Sequence, residues 1–404
     1  MKPIAFVIPW YGDTIRGGAE SECNQLAHCL KDAGMQIEVL ATCVKEASDD
    51  RGINTLTEGI SDESGIVVRR FPVKERNVAR YNPANLKLFR NEVVTLEDER
   101  AYLEEDINSP KMYEYINENK DNYEWFIFIP YLYPPTYYGS MECPDNAIII
   151  PCLHNEGYAY MSLMKARMSK FKKMAFLSKP ESDLAHEIYD LSNVQTEVLG
   201  AYVESGWESS VQPESFREKY NIYTDFILCA GRKEPGKKTD VLLDYFCKYI
   251  EKKPDRNLKL VFVGGGKIDI PNEHKNDVLD LGFVSVEDKH NAFAAAFVLC
   301  NPSFFESFSI VIMESWLAKR PVLVSEQCEV TANFCRESNG GLYFNSYNLF
   351  EACLDYMLDN REISDIMGKN GYIFVRNNFI KEVIQKKYQI FLSKSYEVGR
   401  ENKN

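Results

Sequence analysis

The chain has 404 residues, of which 45% are hydrophobic and 26% are charged, and its formal net charge is −13 at pH 7. A chain of this length predicts two domains, each large enough to bury its own core, and the composition is typical of a soluble globular protein. The negative charge argues against a general nucleic-acid binder, which needs a basic face. No stretch approaches the ~20 apolar residues of a membrane span.

The cysteines and the first residues predict the compartment. Eleven cysteines, an odd number, are scattered without a Cys-x-x-Cys pair, and many lie in apolar runs. This use is typical of reduced core thiols. The apolar run in the opening "MKPIAFVIPW" is too short for a signal peptide. We therefore predict a cytoplasmic protein, and one without a structural zinc, because its five histidines show no metal-ligand spacing.

The first half of the chain alternates apolar strands with helical patterns. "IAFVIPW" (4–10) is a continuous apolar run of the kind buried on both faces of a parallel sheet. A loop, a helix ended by Gly34 and a strand at 37–42 complete a βαβ unit. Further strands are predicted at 65–71, 125–130, 147–151, 173–178 and 196–200. The first half therefore predicts an open, doubly wound α/β sheet.

A second α/β series begins after a polar segment. Residues 201–222 lack a buried strand, so we place a domain boundary at 202/203. Strands are then predicted at 226–231, 258–266, 278–283, 297–302 and 321–325. Neither series carries the G-x-G-x-x-G of a dinucleotide fold, which disfavours an NAD-dependent dehydrogenase.

The segment 160–173 is unusually basic, with five cations and no acid, a net charge of +5. Met161, Met164, Met168 and Phe171 fall on one helical face, which favours a helix packed on the sheet. The alternative is a patch facing anionic lipid or an anionic acceptor.

Polar residues follow several predicted strands, and in α/β domains the ligand crevice lies at these carboxyl ends. Gly17 and Gly18 open the first helix, where free N–H groups can bind an anion, although a plain tight turn is as common. Arg232 and Lys237 follow the strand at 226–231 and suit a diphosphate, with a solvated loop as the alternative. A histidine that follows the strand at 147–151 either points into the crevice or is structural.

Two glutamates stand eight residues apart in "FFESFSIVIMESW" (304–316). Eight residues make just over two helical turns, so a helix starting near Ser307 would place Glu306 at its mouth and Glu314 on the same side. The alternative is an amphipathic helix with solvated ends.

Together these motifs resemble the retaining nucleotide-sugar glycosyltransferases of family 4, which have the GT-B fold. Arg-Gly-Gly-Ala-Glu (16–20) resembles the glycine loop of that family, and His154-Asn155-Glu156 resembles its His-Asp element, with asparagine in place of aspartate. "GRKEPGKK" resembles its Arg-to-Lys diphosphate clamp, and "ESFSIVIME" matches its Glu-x₇-Glu motif. Residues 377–392 resemble its closing helix.

The resemblance implies a fold and a domain plan. We expect two Rossmann-like βαβ domains that face a central cleft, an acceptor-side domain at 1–202 and a nucleotide-sugar domain at 203–376. A closing segment at 377–404 would consist of a helix that crosses back to the first domain and a polar tail. Two departures from the family pattern are Lys319, in place of glycine, and residues 201–204, in place of Asn-Gly-Val-Asp.

The resemblance also implies an activity. The donor would be a nucleoside-diphosphate sugar, with a UDP-sugar favoured over a GDP- or dTDP-sugar, and neither metal nor another cofactor would take part. The acceptor would be a hydroxyl of a glycan or glycolipid in bacterial surface-polysaccharide assembly (O-antigen or capsule), with peripheral contact at the inner face of the membrane. The alternatives are a nucleotide-sugar epimerase of the same fold and a non-catalytic sugar-binding scaffold.

Site residues follow from the same resemblance. Glu306 would contact the donor sugar and Glu314 the ribose. The implied catalytic residues are His154, Arg232, Lys237 and Glu306. The implied donor-binding residues are Gly17, Gly18, Arg232, Lys237, Val284, Glu306, Ser307, Phe308, Ser309 and Glu314.

Overall fold

The computed structural model describes residues 2–12 and 17–393, which fall into two compact units. Unit 1 comprises Met1–Tyr202 and Ile384–Asn404, and unit 2 comprises Val203–Val383. Arg16 of the predicted glycine loop and the predicted polar tail from residue 394 onward lie outside the described residues.

Unit 1 is built on a largely parallel sheet. Its strands are β1 (Ile4–Val7), β2 (Ile37–Thr42), β3 (Gly59–Glu63), β4 (Ile66–Phe71), β5 (Trp125–Phe128), β6 (Ala147–Ile149), β7 (Lys173–Phe176) and β8 (Gln195–Val198). Their order is β3-β4-β2-β1-β5-β6-β7-β8, with β3 antiparallel to β4 and every other pair parallel. Each predicted strand of the first half is present. The prediction missed β3, since its "GISDE" is polar and exposed.

Helices flank this sheet and bury its apolar faces. They are α1 (Gly18–Asp32), α2 (Val78–Phe89), α3 (Leu96–Glu105), α4 (Pro110–Asn119), α5 (Pro134–Glu142), α6 (Ser162–Met168) and α7 (Lys179–Ile188). The basic segment has a predicted apolar face, and this face is buried in the main core of unit 1. It consists of Met161, Met164, Met168 and Phe171. Packing of this segment on the sheet is therefore confirmed.

Unit 2 repeats the architecture with a wholly parallel sheet in the order β11-β10-β9-β12-β13-β14. Its strands are β9 (Phe226–Ala230), β10 (Lys259–Val263), β11 (Val278–Asp280), β12 (Val298–Asn301), β13 (Val322–Ser325) and β14 (Gly341–Phe344). Its helices are α8 (Pro213–Tyr220), α9 (Thr239–Lys252), α10 (Val286–Ala295), α11 (Ile310–Leu317), α12 (Glu329–Ser338), α13 (Tyr347–Asp359) and α14 (Arg361–Asn378). Each unit is thus a Rossmann-like α/β fold, as predicted. Nowhere in the described ranges does a helix have the length and apolar character to cross a bilayer.

The last described helix, α15 (Lys381–Ser393), returns to unit 1. Its Tyr388 and Phe391 are buried, and the Gln385 side chain donates a hydrogen bond to the Cys29 carbonyl at 2.7 Å. The predicted return of a C-terminal helix to the first domain is therefore confirmed. The helix begins later than residue 377, which instead lies within α14.

Several cations of the basic segment are turned inward. The Lys173 ammonium is buried and donates to the Phe391 carbonyl at 2.6 Å, and Arg167 is buried with its guanidinium donating to the Ser140 carbonyl at 3.0 Å. Lys172 lies 3.5 Å from Asp145. An anionic membrane would therefore meet fewer of the five cations than the sequence suggests, because α5 holds Arg167 and α15 holds Lys173.

Lys173→Met is expected to destabilise unit 1 by about 1–3 kcal/mol, because methionine fills similar space but leaves the buried Phe391 carbonyl without its donor. For a unit of this size the melting temperature falls by roughly 2–4 °C per kcal/mol. Lys170→Met, at an exposed position of the same segment, is the matched control and should melt like the parent. Equal melting temperatures for the two variants would contradict a structural role for Lys173.

Candidate active site

Three glycine-rich loops pack together at the carboxyl edge of the unit 2 sheet. Gly231 follows β9 with φ 136°, and Gly264 follows β10 with φ 129°. A Cβ on Gly264 would lie 2.1 Å from the Gly231 carbonyl oxygen, and the Gly264 N–H donates to the Gly282 carbonyl beyond β11 at 2.7 Å. Only glycine permits both the backbone angle and the close approach. The loops after β9, β10 and β11 therefore form one surface.

The predicted clamp lysine and the first glutamate meet on this surface. Lys237 Nζ lies 2.8 Å from Glu306 Oε1, with 28% of the lysine side chain exposed. The two loops also touch through their backbones, since the Phe304 N–H donates to the Gly236 carbonyl at 3.4 Å. The pair places an ammonium and a carboxylate side by side at the carboxyl edge of β9 and β12.

The other cations of "GRKEPGKK" have different roles. The Arg232 side chain is 54% exposed, and its guanidinium lies 3.3 Å from Glu234. Lys233, which carried no predicted role, is buried and lies 3.0 Å from Asp280. Arg232 is therefore available to a ligand from solvent, whereas Lys233 ties the loop after β9 to the end of β11.

The helix after β12 begins later than predicted. Helix α11 starts at Ile310, and Ser309 caps it in a left-handed conformation with φ 74°. Glu306 and Ser307 therefore lie in the preceding loop, and the prediction that both glutamates share one helix face is wrong. The Asn301 side-chain amide joins loop to cap, since it donates to Ser309 Oγ at 2.8 Å and to Glu306 Oε1 at 3.3 Å.

Two of the remaining predicted donor contacts are constrained by packing. The Phe308 ring is buried edge-on against Phe334 and Phe379, at centroid distances of 5.4 and 4.9 Å. Its backbone N–H, and not its ring, is the group that could reach a ligand. Val284 is half-buried in the loop that joins β11 to α10.

Glu314 lies on α11 and is buried beside a cation that the sequence analysis missed. Lys289 Nζ, from α10, lies 2.6 Å from Glu314 Oε1. Burial raises the pKa of Glu314, and the nearby Lys289 partly offsets this rise. No local spacing signals the pair, because its members are 25 residues apart and meet through the packing of two helices.

Next to the glycine loop of unit 1, the Glu20 carboxylate lies at the start of α1. The indole N–H of Trp10 donates to a carboxylate oxygen of Glu20, in the first turn of the helix. A Cβ on Gly17 would lie 1.9 Å from Glu20 Oε2, whereas one on Gly18 would meet nothing within 4 Å. Position 17 therefore needs a glycine, because a Cβ there would collide with the Glu20 carboxylate. The space beside Gly18 is open.

His154 follows β6 in unit 1 and has a carboxylate neighbour. His154 Nδ1 lies 3.6 Å from Glu156 Oε1, and the Tyr131 hydroxyl donates to the same oxygen at 3.0 Å. Asn155, which replaces the aspartate of the family pattern, instead accepts a hydrogen bond from the Tyr160 hydroxyl at 2.9 Å. Glu156 thus supplies the acid beside the histidine, one position later than the motif suggests.

Comparison with known proteins identifies a family match in unit 2. Residues 224–360 match the family model described as Glycosyl transferases group 1. A curated relative, the D-inositol 3-phosphate glycosyltransferase of Corynebacterium efficiens, is 26% identical over 169 residues, which cover 39% of this chain and 40% of that protein. The chain thus spans less than half the length of this relative.

Solved structures resemble the chain over almost its whole length. Anabaena HepE, in complex with UDP and glucose, has a TM-score of 0.66 at 13% identity and covers 98% of this chain and 100% of its own. WaaG, a glycosyltransferase involved in lipopolysaccharide biosynthesis, has a TM-score of 0.65 at 14% identity, covering 97% of this chain and 100% of its own. At these identities the likeness shows a shared fold.

Proposed function

Because the chain carries a group 1 glycosyl transferase domain within the GT-B fold that its motifs predicted, we propose that it transfers a sugar from a nucleoside-diphosphate sugar to an acceptor hydroxyl. The observation that carries this proposal is the contact between Lys237 and Glu306 at the carboxyl edge of the unit 2 sheet. A cation for the diphosphate and an acid for sugar hydroxyls lie side by side there, with the exposed Arg232 on the same loop. The UDP and glucose of the HepE complex support a UDP-sugar as donor.

The leaving diphosphate gains negative charge as its bond to the sugar breaks. Lys237 uses one of its three N–H donors on Glu306 and keeps the others for a phosphate, and Arg232 presents a planar fork to the same group. Backbone N–H groups of Ser307, Phe308 and Ser309 would add to this stabilisation of the transition state. Gly17 and Gly18, at the start of α1, are proposed as further donor-binding residues.

Glu306 is better suited to hold the sugar than to attack it. Its Oε1 accepts hydrogen bonds from both Lys237 and Asn301, which leaves Oε2 for a sugar hydroxyl. We propose that the acceptor hydroxyl attacks from the leaving-group face, with the departing phosphate taking its proton, so that the anomeric configuration is retained. His154 would donate a hydrogen bond to the transferred sugar, Val284 would contact the base and Glu314 the ribose.

The proposed acceptor is a glycan or glycolipid hydroxyl in bacterial surface-polysaccharide assembly, reached at the inner face of the membrane from the cytoplasm. The involvement of WaaG in lipopolysaccharide biosynthesis supports this setting. An epimerase of the same fold is the second candidate, since it would use the same donor clamp. It differs in needing no acceptor.

A donor screen followed by a transfer assay tests the function. UDP-, GDP- and dTDP-sugars are added in thermal-shift measurements, where a donor present at 100 times its Kd stabilises the protein by about 2.7 kcal/mol. The best donor is then incubated with an acceptor panel, and NMR of the product gives its anomeric configuration. We expect a UDP-sugar to bind and a retained product to form. Turnover of donor without acceptor would indicate the epimerase, and binding without any turnover the scaffold.

A further inference from the structure

Unit 1 contains a buried glutamate that the proposed chemistry does not use. Glu181, on α7, is 1% exposed. Its Oε1 accepts a hydrogen bond from the Leu153 N–H at 2.7 Å, and its Oε2 accepts one from the Leu177 N–H at 2.6 Å. Leu153 directly precedes His154, and Leu177 directly follows β7. One carboxylate therefore ties the ends of two neighbouring strands together, next to the histidine.

The turn that it holds is conformationally strained. Cys152, two residues before His154, has φ 51°, in the left-handed region that residues with a Cβ disfavour. Such a backbone persists where its surroundings hold it in place. The bond from the Leu153 N–H to Glu181 comes immediately after the strained residue, so it fixes the direction in which the chain leaves β6.

We propose that Glu181 is a positioning residue for His154, fixing the turn 152–154 through its two backbone hydrogen bonds. The inference rests on the proposed function, in which His154 acts on the transferred sugar. Glu181 itself touches no substrate. Its ionised form holds the turn best, because both oxygens of a carboxylate accept strong hydrogen bonds from the N–H groups, whereas protonation turns one oxygen into a hydroxyl, which accepts much more weakly.

This preference for the ionised form gives transfer a specific pH dependence. Burial raises the pKa of Glu181 to about 7, although the bonds from Leu153 and Leu177 and the charge of His154 oppose the rise. The other titratable groups that interact with Glu181 are Glu22 on α1, Cys152 on the turn and Tyr388 on α15. Activity should therefore fall as the pH drops through about 7 and Glu181 takes up a proton.

Glu22 provides a matched control. It is 2% exposed, and neither carboxyl oxygen has a hydrogen-bond partner among the described residues. Burial, and then the charge of Glu181, raises the pKa of Glu22 to about 8, which favours its protonated form at neutral pH. Glu22→Gln resembles this protonated form and should leave the ionisation of Glu181 in place.

The test compares Glu181→Gln with Glu22→Gln in the full-length protein. In Glu181→Gln an amide NH₂ faces one of the two backbone donors at every pH. We expect kcat at pH 8 to fall about tenfold to a hundredfold, the range for losing a hydrogen bond to a charged group, with donor KM little changed. In Glu181→Gln the fall in activity below pH 7 should disappear. Glu22→Gln should keep the parental kcat and the parental fall in activity below pH 7, the acid limb of the pH profile.

A second measurement does not depend on activity. Hydrogen exchange of backbone amides, followed by NMR, should show faster exchange at Leu153 in Glu181→Gln but not in Glu22→Gln. The Ile150 N–H, bonded to the Phe128 carbonyl at 3.0 Å, serves as the internal reference. Parental Leu153 exchange in Glu181→Gln, or a parental acid limb in that variant, would overturn the inference. Lack of transfer in the parent would instead count against the proposed function, while the exchange result still decides whether Glu181 fixes the turn.

Discussion

Lys237→Met is expected to lower kcat/KM for sugar transfer by roughly 10²–10³-fold, the usual cost of removing one donor to a transition-state charge. Lys237 extends from a short turn at the carboxyl edge of the unit 2 sheet and contacts Glu306 at 2.8 Å. Methionine keeps most of the length of the side chain and removes the charge. The loss should fall on the step in which the diphosphate leaves. Steady-state kinetics with the donor identified by the thermal-shift screen measures it.

Lys238 offers a matched control for this variant. It follows Lys237 directly, has a left-handed backbone with φ 51°, and places its ammonium 4.9 Å above the ring of Phe304. Lys238→Met removes an equal charge from the same loop without touching the pair with Glu306. We expect it to retain most of the parental activity. If both variants lose activity equally, the loss comes from the total positive charge of the loop after β9. The assignment of Lys237 to the diphosphate is then wrong.

Glu306→Gln and Glu314→Gln are expected to fail in different ways. Glu306 lies beside Lys237 in the loop before α11, so its loss should fall mainly on kcat. Glu314 lies on the helix itself, and its proposed ribose contacts are alike in the ground and transition states. Its loss should therefore appear in donor KM, by roughly ten- to a hundredfold. Separate determination of kcat and KM distinguishes the two cases.

Glu314→Gln also breaks the ion pair with Lys289, because Lys289 is then left beside a neutral amide. The structure offers a control for this effect. Lys289→Met removes the partner and retains the carboxylate, so it separates the loss of the ion pair from the loss of the acid. If Glu314→Gln lowers the melting temperature without donor and leaves KM unchanged, Glu314 is structural. Small and equal kinetic effects at both glutamates would remove them from the donor site altogether.

The sheets were predictable because their strands are continuous apolar runs. "AFV" in β1 and "LVFV" in β10 are buried, as strands within parallel sheets are, and their short length and their β-branched and aromatic residues identify them as strands. The prediction missed β3 and β14, which form one of the two edges of each sheet. β3 is polar and exposed, so its composition resembles that of a loop, whereas β14 is the four-residue "GLYF", too short an apolar run to stand out.

The candidate site was predictable where its residues follow strands and not where they depend on packing between helices. Arg232, Lys237 and Glu306 follow β9 and β12, as strand-end reasoning requires. Lys289 and Glu181 were missed, because their partners come from another helix and from backbone N–H groups. The position of the α11 start was wrong, because the left-handed turn at Ser309 depends on Asn301, eight residues earlier.

The return of α15 to unit 1 sets an order of events during synthesis on the ribosome. Unit 2 is one continuous stretch of chain, whereas unit 1 combines the beginning of the chain with residues from Ile384 onward. The Lys173–Phe391 contact joins residues 218 positions apart. Domains generally fold as units while the chain emerges at about 5–20 residues per second. We expect unit 2 to reach its final fold before unit 1, although it is synthesised later than most of unit 1, because unit 1 is completed only after α15 has left the exit tunnel.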